Sequence, residues 1–159
     1  MILLLAGTLI AFSSCSKDDD EDGNGDDNPN PPATGSMTCK VDGADWTAGL
    51  AVVATKNGTL VTVTGNDSNA KQLQLILYNL AGTGTVDLGG TPTNQNAGRW
   101  TAGIGQNDTY TTQLGVGSGT VEVTELTDTS IKGTFQFTAK NPAGTEVAVT
   151  DGSFTATFE

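Results

Sequence analysis

The sequence predicts an all-β domain, built as an antiparallel β-sandwich of about eight to eleven short strands. From residue 37 onward, apolar and polar residues alternate with a period of two. Turn-forming residues separate these runs, and no stretch after residue 36 has the period of an amphipathic helix. An up-and-down β-barrel uses the same alternation, so the sequence leaves it open as the alternative.

The earlier strands are indicated by short alternating apolar runs. These runs are Val61/Val63, Leu73/Leu75/Leu77 and Val121/Val123. Turn signals lie between them at Asn57-Gly58, at residues 66–69, at Asp128-Thr129 and at residues 141–144. Such residues supply the positive φ angles or turn-initiating side chains that hairpins need, so hairpin connections are expected.

The last strands carry the clearest alternation. In residues 130–139 the apolar side chains fall on one face: Ile131, Phe135, Phe137 and Ala139. The C-terminal segment repeats the pattern with Val147 and Val149 and then with Phe154, Ala156 and Phe158. A bend is expected between these two runs at Asp151-Gly152. The glycine-rich segments 82–90 and 98–119 are expected to be loops or weak, twisted strands.

Composition excludes several functional classes. The 159-residue chain has room for one domain, and its net charge is −11. Residues 36–159 hold eleven acids against six bases, without the basic patch that nucleic-acid binding requires. Histidine is absent, which removes the commonest proton-transfer group and transition-metal ligand. We therefore expect no nucleic-acid partner, no metal and no cofactor.

The first residues predict export and lipid attachment. Residues 2–12 form an apolar run too short to cross a bilayer as a helix but typical of a secretory signal. No basic segment precedes it, so we expect the natural start to lie upstream of Met1. The run ends in Phe12-Ser13-Ser14-Cys15, which resembles the lipobox of bacterial lipoproteins, although Phe12 replaces the usual aliphatic residue. Acyl chains on Cys15 would anchor the protein without a spanning helix.

An acidic, proline-containing segment follows the cysteine at residues 16–35 and has almost nothing to bury, which is typical of a disordered tether. The predicted organisation is a signal peptide at 1–14, the lipidated cysteine and tether at 15–35, and the all-β domain at 36–159. The acids between Asp18 and Asp26 imitate part of a calcium-binding loop. Pro29 stands where that loop needs a glutamate, so a solvated tether is favoured.

Three motifs resemble surface lipoproteins of the Bacteroidota that contain a small all-β domain of unknown function. Cys15-Ser16-Lys17-Asp18-Asp19 resembles their export signal, in which a lysine and acids follow the lipidated cysteine. Residues 39–46 resemble the opening hairpin of the domain, and residues 133–139 with 149–154 resemble its closing strands. The resemblance implies an outer-membrane location facing the cell exterior, with Lys17, Asp18 and Asp19 as the export signal. It implies no activity.

Two functional hypotheses follow, and the less favoured one is a small carboxylate-dependent glycoside hydrolase. Paired carboxylates can hydrolyse glycosides without histidine or metal, and the acids available are Asp42, Asp45, Asp108, Glu122 and Glu125. Their positions at turns and on water-facing strand surfaces favour structural roles, and Cys39 has no histidine to activate it. We expect Cys39 to be a small buried apolar residue.

The favoured hypothesis is a non-catalytic binding or structural module of the cell envelope. We expect its partner to be a glycan or an envelope protein. The residues best suited to form the ligand site are Trp100, Arg99 and Tyr110. The alternative is that Trp46 and Trp100 fill the core.

Overall fold

The computed structural model describes residues 35–159, which form eleven antiparallel strands. The strands are β1 (Gly35–Val41), β2 (Ala44–Thr47), β3 (Ala51–Asn57), β4 (Leu60–Asn66), β5 (Gln72–Leu77), β6 (Gly84–Gly89), β7 (Ala97–Thr101), β8 (Thr109–Thr111), β9 (Ser118–Leu126), β10 (Ser130–Lys140) and β11 (Glu146–Thr157). Within this part of the chain the only helical element is a 3-10 turn at Gln113–Gly115. The predicted all-β class and strand number are confirmed.

Strand β10 joins two parts of one continuous sheet. Along most of its length it pairs with β11 on one side and with β9 on the other, while its last residue, Lys140, pairs with Thr111 of β8. The first layer is therefore β2-β1-β11-β10-β9-β6, and the second is β8-β7-β5-β4-β3. The sheet is open and is not closed into a barrel.

The two layers face each other across one core. Trp46 of β2 meets Trp100 of β7 edge to face, with ring centroids 5.2 Å apart. Met37 of β1 lies against Gly65 of β4, since a Cβ on that glycine would lie 2.8 Å from the Met37 sulfur. The predicted sandwich arrangement is thus confirmed, and the barrel alternative is not adopted.

The predicted inward faces are also confirmed. On β10 the predicted core residues Ile131, Phe135, Phe137 and Ala139 are all buried. The apolar positions of the earlier runs in β4, β5 and β9 are buried as well. Of the glycine-rich segments, 82–90 contains the edge strand β6, and 98–119 contains most of β7 and all of the three-residue β8.

At Asp151 the structure differs from the expected bend, because β11 continues through it with a β-bulge. Phe135 of β10 pairs with Gly152, but Phe137 pairs with Val149, so β11 has an extra residue there. Asp151 takes up the bulge with a φ of 52°, and both it and Thr150 are exposed. The extra residue moves the inward positions from odd to even numbers, which keeps both apolar runs of β11 in the core.

Three phenylalanines of the core lie opposite glycines on a neighbouring strand. The pairs are Phe135–Gly152, Phe154–Gly133 and Phe137–Gly119. A Cβ on Gly152 would lie 2.4 Å from the Phe135 ring, and one on Gly133 would lie 3.0 Å from the Phe154 ring, so these two rings occupy the space that a side chain would need. Across the core, the Phe137 ring also covers Gly98 of β7, where a Cβ would lie 2.6 Å from a ring carbon. Glycine at these positions lets large rings pack between strands.

None of the helical segments in residues 35–159 is long and apolar enough to span a membrane.

We expect Gly98→Ala to destabilise the domain, because the new methyl group has to displace the buried Phe137 ring. Overpacking of this kind costs about 1–3 kcal/mol of unfolding free energy. Denaturant unfolding measures the loss. Gly82→Ala is the matched control, since nothing lies within 4 Å of that position, and it should change stability by less than about 0.5 kcal/mol.

Adding Phe137→Leu to Gly98→Ala should recover part of the loss, because a smaller side chain leaves room for the methyl group. A Gly98→Ala protein as stable as the wild type would contradict the close packing of β7 on β10.

Candidate functional site

The register of β10 defines two ends of the domain. Gly35, where β1 begins, pairs with Ala156, and Ala156 pairs with Ile131. Lys140 lies nine residues farther along β10, which is about 30 Å at the usual rise per residue. We call the end near Gly35 the N-terminal end and the end beyond Lys140 the loop end.

The loop end is formed by connections that are hydrogen-bonded to one another or to the adjoining strand. The Asn141 amide in the β10–β11 turn donates to the Asn107 carbonyl in the β7–β8 loop at 2.8 Å. In the β1–β2 turn, Asp42 accepts a hydrogen bond from the Ala148 N–H at 2.9 Å. The β7–β8 loop also carries Ile104, which is 97% exposed.

A groove of about 460 Å³ lies beside this end. It is lined mainly by residues of β7, β8, the end of β10, the β10–β11 turn and the segment after the 3-10 turn: Arg99, Thr109, Thr111, Val116, Lys140 and Pro142. We call it the Arg99 groove. Its volume lies within the range of about 300–1,000 Å³ that is usual for small-ligand sites.

Arg99 carries a charge with little compensation in this groove. Its Nη2 atom donates one long hydrogen bond, 3.4 Å, to Gln113 Oε1. Its Nε atom is buried and has no acceptor in the part of the chain that the structure describes. No carboxylate of residues 35–159 forms an ion pair with it. Lys140, the second cation of the groove, has its Nζ atom 3.6 Å from Glu146.

The structure separates the three residues predicted to bind a ligand. Arg99 and Trp100 are neighbours on β7, so their side chains point to opposite faces. Trp100 pairs with Tyr110 of β8, and both side chains belong to or pack against the core. Trp100 is 3% exposed, so its ring offers no face on which a ligand could stack. Arg99 lines the groove, whereas Trp100 packs into the core on the opposite face of β7.

Trp46 is buried, as the alternative interpretation expects, and its indole N–H reaches a carboxylate. It donates to Asp67 Oδ2 at 2.9 Å, while Asp67 Oδ1 accepts from the backbone N–H groups of Asn69 and Lys71. Partial desolvation raises the pKa of Asp67, but these three hydrogen bonds and the positive charge of Lys71 together outweigh it, and the net effect lowers that pKa. The pair ties β2 to the β4–β5 turn.

The carboxylates considered for catalysis are engaged in local hydrogen bonds. Asp45 lies 2.6 Å from Lys40 Nζ, and Asp108 accepts from the Gly105 N–H at 2.7 Å. Glu125 accepts from the Ser130 hydroxyl at 3.3 Å, and Glu122 accepts from the Thr85 hydroxyl. Together with the Asp42 contact described above, each of these acids stabilises a turn or links neighbouring strands.

Glu122 also lines a second groove, of about 470 Å³, on the outer face of β9, β10 and β11. Asp151, at the bulge, lines the same groove, and both acids are exposed. The sequence does not indicate Asp151 as a neighbour of Glu122, because Asp151-Gly152 is typical of a bend. The change from odd to even apolar positions around residue 151 is the signal that indicates the bulge.

Cys39 is 4% exposed and is a free thiol. Desolvation by burial raises its pKa to about 12, which makes it a poor nucleophile at neutral pH. The expectation of a small buried apolar residue is confirmed. Among residues 35–159 no group of three or more acids and cysteines is placed to hold a metal ion. Cys15, Lys17, Asp18 and Asp19 lie outside the described residues.

We expect Trp100→Ala to lower the unfolding free energy by about 3–5 kcal/mol, because the ring is buried against Trp46 and its removal leaves a cavity. Equilibrium unfolding in denaturant tests this. Tyr78→Ala is the control, since that side chain is 38% exposed, and it should cost far less. A Trp100→Ala protein that loses less than about 1 kcal/mol would contradict a core role for the ring.

Comparison with known proteins gives one family and no characterised relative. No curated protein and no solved structure matches the chain significantly. A model of a protein family matches residues 33–157, which include all eleven described strands. The expected membership in a family of unknown function is thereby confirmed, while the lipoprotein features remain predictions. The chain belongs to the family described as domain of unknown function DUF6252.

Proposed function

We propose that this protein is a lipid-anchored module of the outer membrane that faces the cell exterior and binds an envelope ligand without catalysis. The observation that carries the proposal is the position of the Arg99 groove relative to Gly35. The predicted tether joins the domain at its N-terminal end, and the groove lies about 30 Å away at the loop end.

This arrangement suits a protein attached to a membrane through its N-terminus. A lipidated Cys15 would hold the start of the chain at the bilayer, and residues 16–34 would reach at most about 65 Å when fully stretched. The domain would then present its loop end outward. The Arg99 groove and the exposed Ile104 would meet soluble or cell-surface ligands before any other part of the domain.

A binding role is supported over catalysis by the environment of the acids. Glycoside hydrolysis needs two carboxyl groups facing one bond, one of them kept protonated by an apolar surround. The alternative function, a small carboxylate-dependent glycoside hydrolase, is favoured only by Glu122 and Asp151 lining one groove. Both side chains are exposed there, so the groove lacks the apolar surround that a catalytic acid needs.

Binding of the purified full-length protein to a panel of glycans and envelope extracts tests the function. The proposal expects retention of at least one ligand without any change in its covalent structure. Cleavage of a glycan that is lost in Glu122→Gln would support the hydrolase instead.

Location is tested in intact cells by labelling an introduced thiol at Ile104, an exposed position at the loop end. A membrane-impermeant maleimide should label Ile104→Cys in whole cells. The native Cys39 should stay unlabelled because it is buried and its pKa is raised to about 12. Cys15→Ala should abolish incorporation of radiolabelled fatty acid and release the protein from membranes.

The export signal is tested in the same background. Changing Lys17, Asp18 and Asp19 together to Ala should leave the protein lipidated and folded but unlabelled in intact cells, because the predicted address would be lost. Changing Asp26 and Asp27 to Ala is the matched control and should leave labelling unchanged. Equal labelling of both variants would show that the acidic segment acts only as a spacer.

A further inference from the structure

We propose that the Arg99 groove binds the carboxylate of a small monoanionic ligand, of the chemical class of a uronic acid residue in an acidic glycan. This inference rests on the proposed binding role of the groove and specifies its ligand. It is drawn from the charge, the hydrogen-bonding capacity and the shape of the groove.

Arg99 is incompletely paired in the folded domain. The described domain contains many more acids than bases, yet no carboxylate of residues 35–159 pairs with this arginine. A guanidinium with a buried, unsatisfied Nε–H carries a desolvation penalty that protein contacts do not offset here. An anion beside its remaining N–H groups would offset that penalty, and the planar guanidinium matches the geometry of a carboxylate.

The groove carries a net positive charge. Arg99 and Lys140 contribute two positive charges, and Glu146, which is 3.6 Å from Lys140 Nζ, contributes one negative charge. The local balance is therefore +1. A single carboxylate neutralises this charge, whereas a phosphate dianion would leave an excess negative charge in a groove with largely apolar walls.

The walls of the groove combine carbon surface with hydroxyl groups. Val116 and Pro142 provide carbon surface, while Thr109 and Thr111 provide hydroxyl groups. The Thr111 hydroxyl oxygen accepts from the Gln113 N–H at 3.2 Å, which leaves its proton free to donate to a ligand oxygen. Apolar surface beside a few hydroxyl groups suits a sugar ring, which presents C–H groups on its faces and hydroxyl groups at its edges.

An extended peptide with a terminal carboxylate fits this groove less well. Peptides are commonly bound by adding a strand to an exposed sheet edge. Strand β8 pairs with β7 on one side and meets β10 at Lys140 on the other, so no long unpaired edge borders the groove. Binding of a peptide is therefore the competing outcome of the experiment.

The experiment is titration of the purified full-length protein with galacturonic acid and with galactose, its neutral counterpart, by calorimetry and NMR. We expect saturable binding of galacturonic acid and at least tenfold weaker binding of galactose. Arg99→Met should remove galacturonic acid binding while the melting temperature stays unchanged or rises, because an apolar side chain replaces an unpaired charge. Lys132→Met, at an exposed position near the other end of β10, is the control and should leave binding unchanged.

A second variant tests the charge balance. Glu146→Gln should tighten galacturonic acid binding severalfold, because it frees Lys140 from its only carboxylate partner among the described residues. Weaker binding by this variant would overturn the proposed balance.

Two further outcomes would overturn the inference and are distinguishable from failure of the proposed function. Stronger binding of a peptide with a free C-terminus than of its amidated form or of galacturonic acid would assign the groove to peptides. Arg99-dependent binding of a neutral glycan from the panel, without binding of galacturonic acid, would overturn the monoanion and leave the binding function intact. Failure of every ligand in the panel to bind the wild-type protein would reject the binding function itself.

Discussion

The packing of phenylalanine rings against glycines is the interaction on which the sandwich depends. A core with few large side chains has to use each ring fully, and Phe135 and Phe154 each cover a glycine on an adjacent strand. Phe137 also fixes the distance between the layers, since Gly98 of β7 leaves room for its ring. Glycine costs backbone entropy in a strand, and burial of an aromatic ring against it offsets that cost.

The alternation of β10 and β11 is predictable from the sequence because it is local to each strand. The Phe–Gly pairs are not, because they depend on which strands are neighbours and in what register. The β-bulge of β11 also depends on strand pairing, but it can be detected in the sequence of that strand alone. Apolar residues stand at odd positions up to Val149 and at even positions from Phe154, and a single continuous strand can keep both sets inward only with a bulge between them.

The residues of the candidate site are likewise only partly predictable from the sequence. Arg99 is predicted, but its grouping with Trp100 and Tyr110 holds only if residues 98–119 are a loop and not the weak, twisted strands that the sequence also allows, since neighbouring side chains need not point apart in a loop. Once β7 and β8 are strands, Trp100 and Tyr110 turn toward the core and Arg99 toward the groove. The sequence does not indicate Lys140 as a residue of the site, because its position beside Arg99 requires the single bridge between β10 and Thr111. That bridge lies between residues far apart in the chain.

The stability of the fold and the charge of the groove have different origins, which is why they can be altered separately. The core is held by rings, glycines and aliphatic side chains that face inward from both layers, and Arg99 contributes no ion pair to it within residues 35–159. Replacing an unpaired, half-buried charge by an apolar side chain of similar size is often neutral or stabilising. Arg99 is therefore a residue whose charge the folded domain does not need for its own stability. A groove at the end of the domain opposite the N-terminus is the place where a bound anion would pair with that charge.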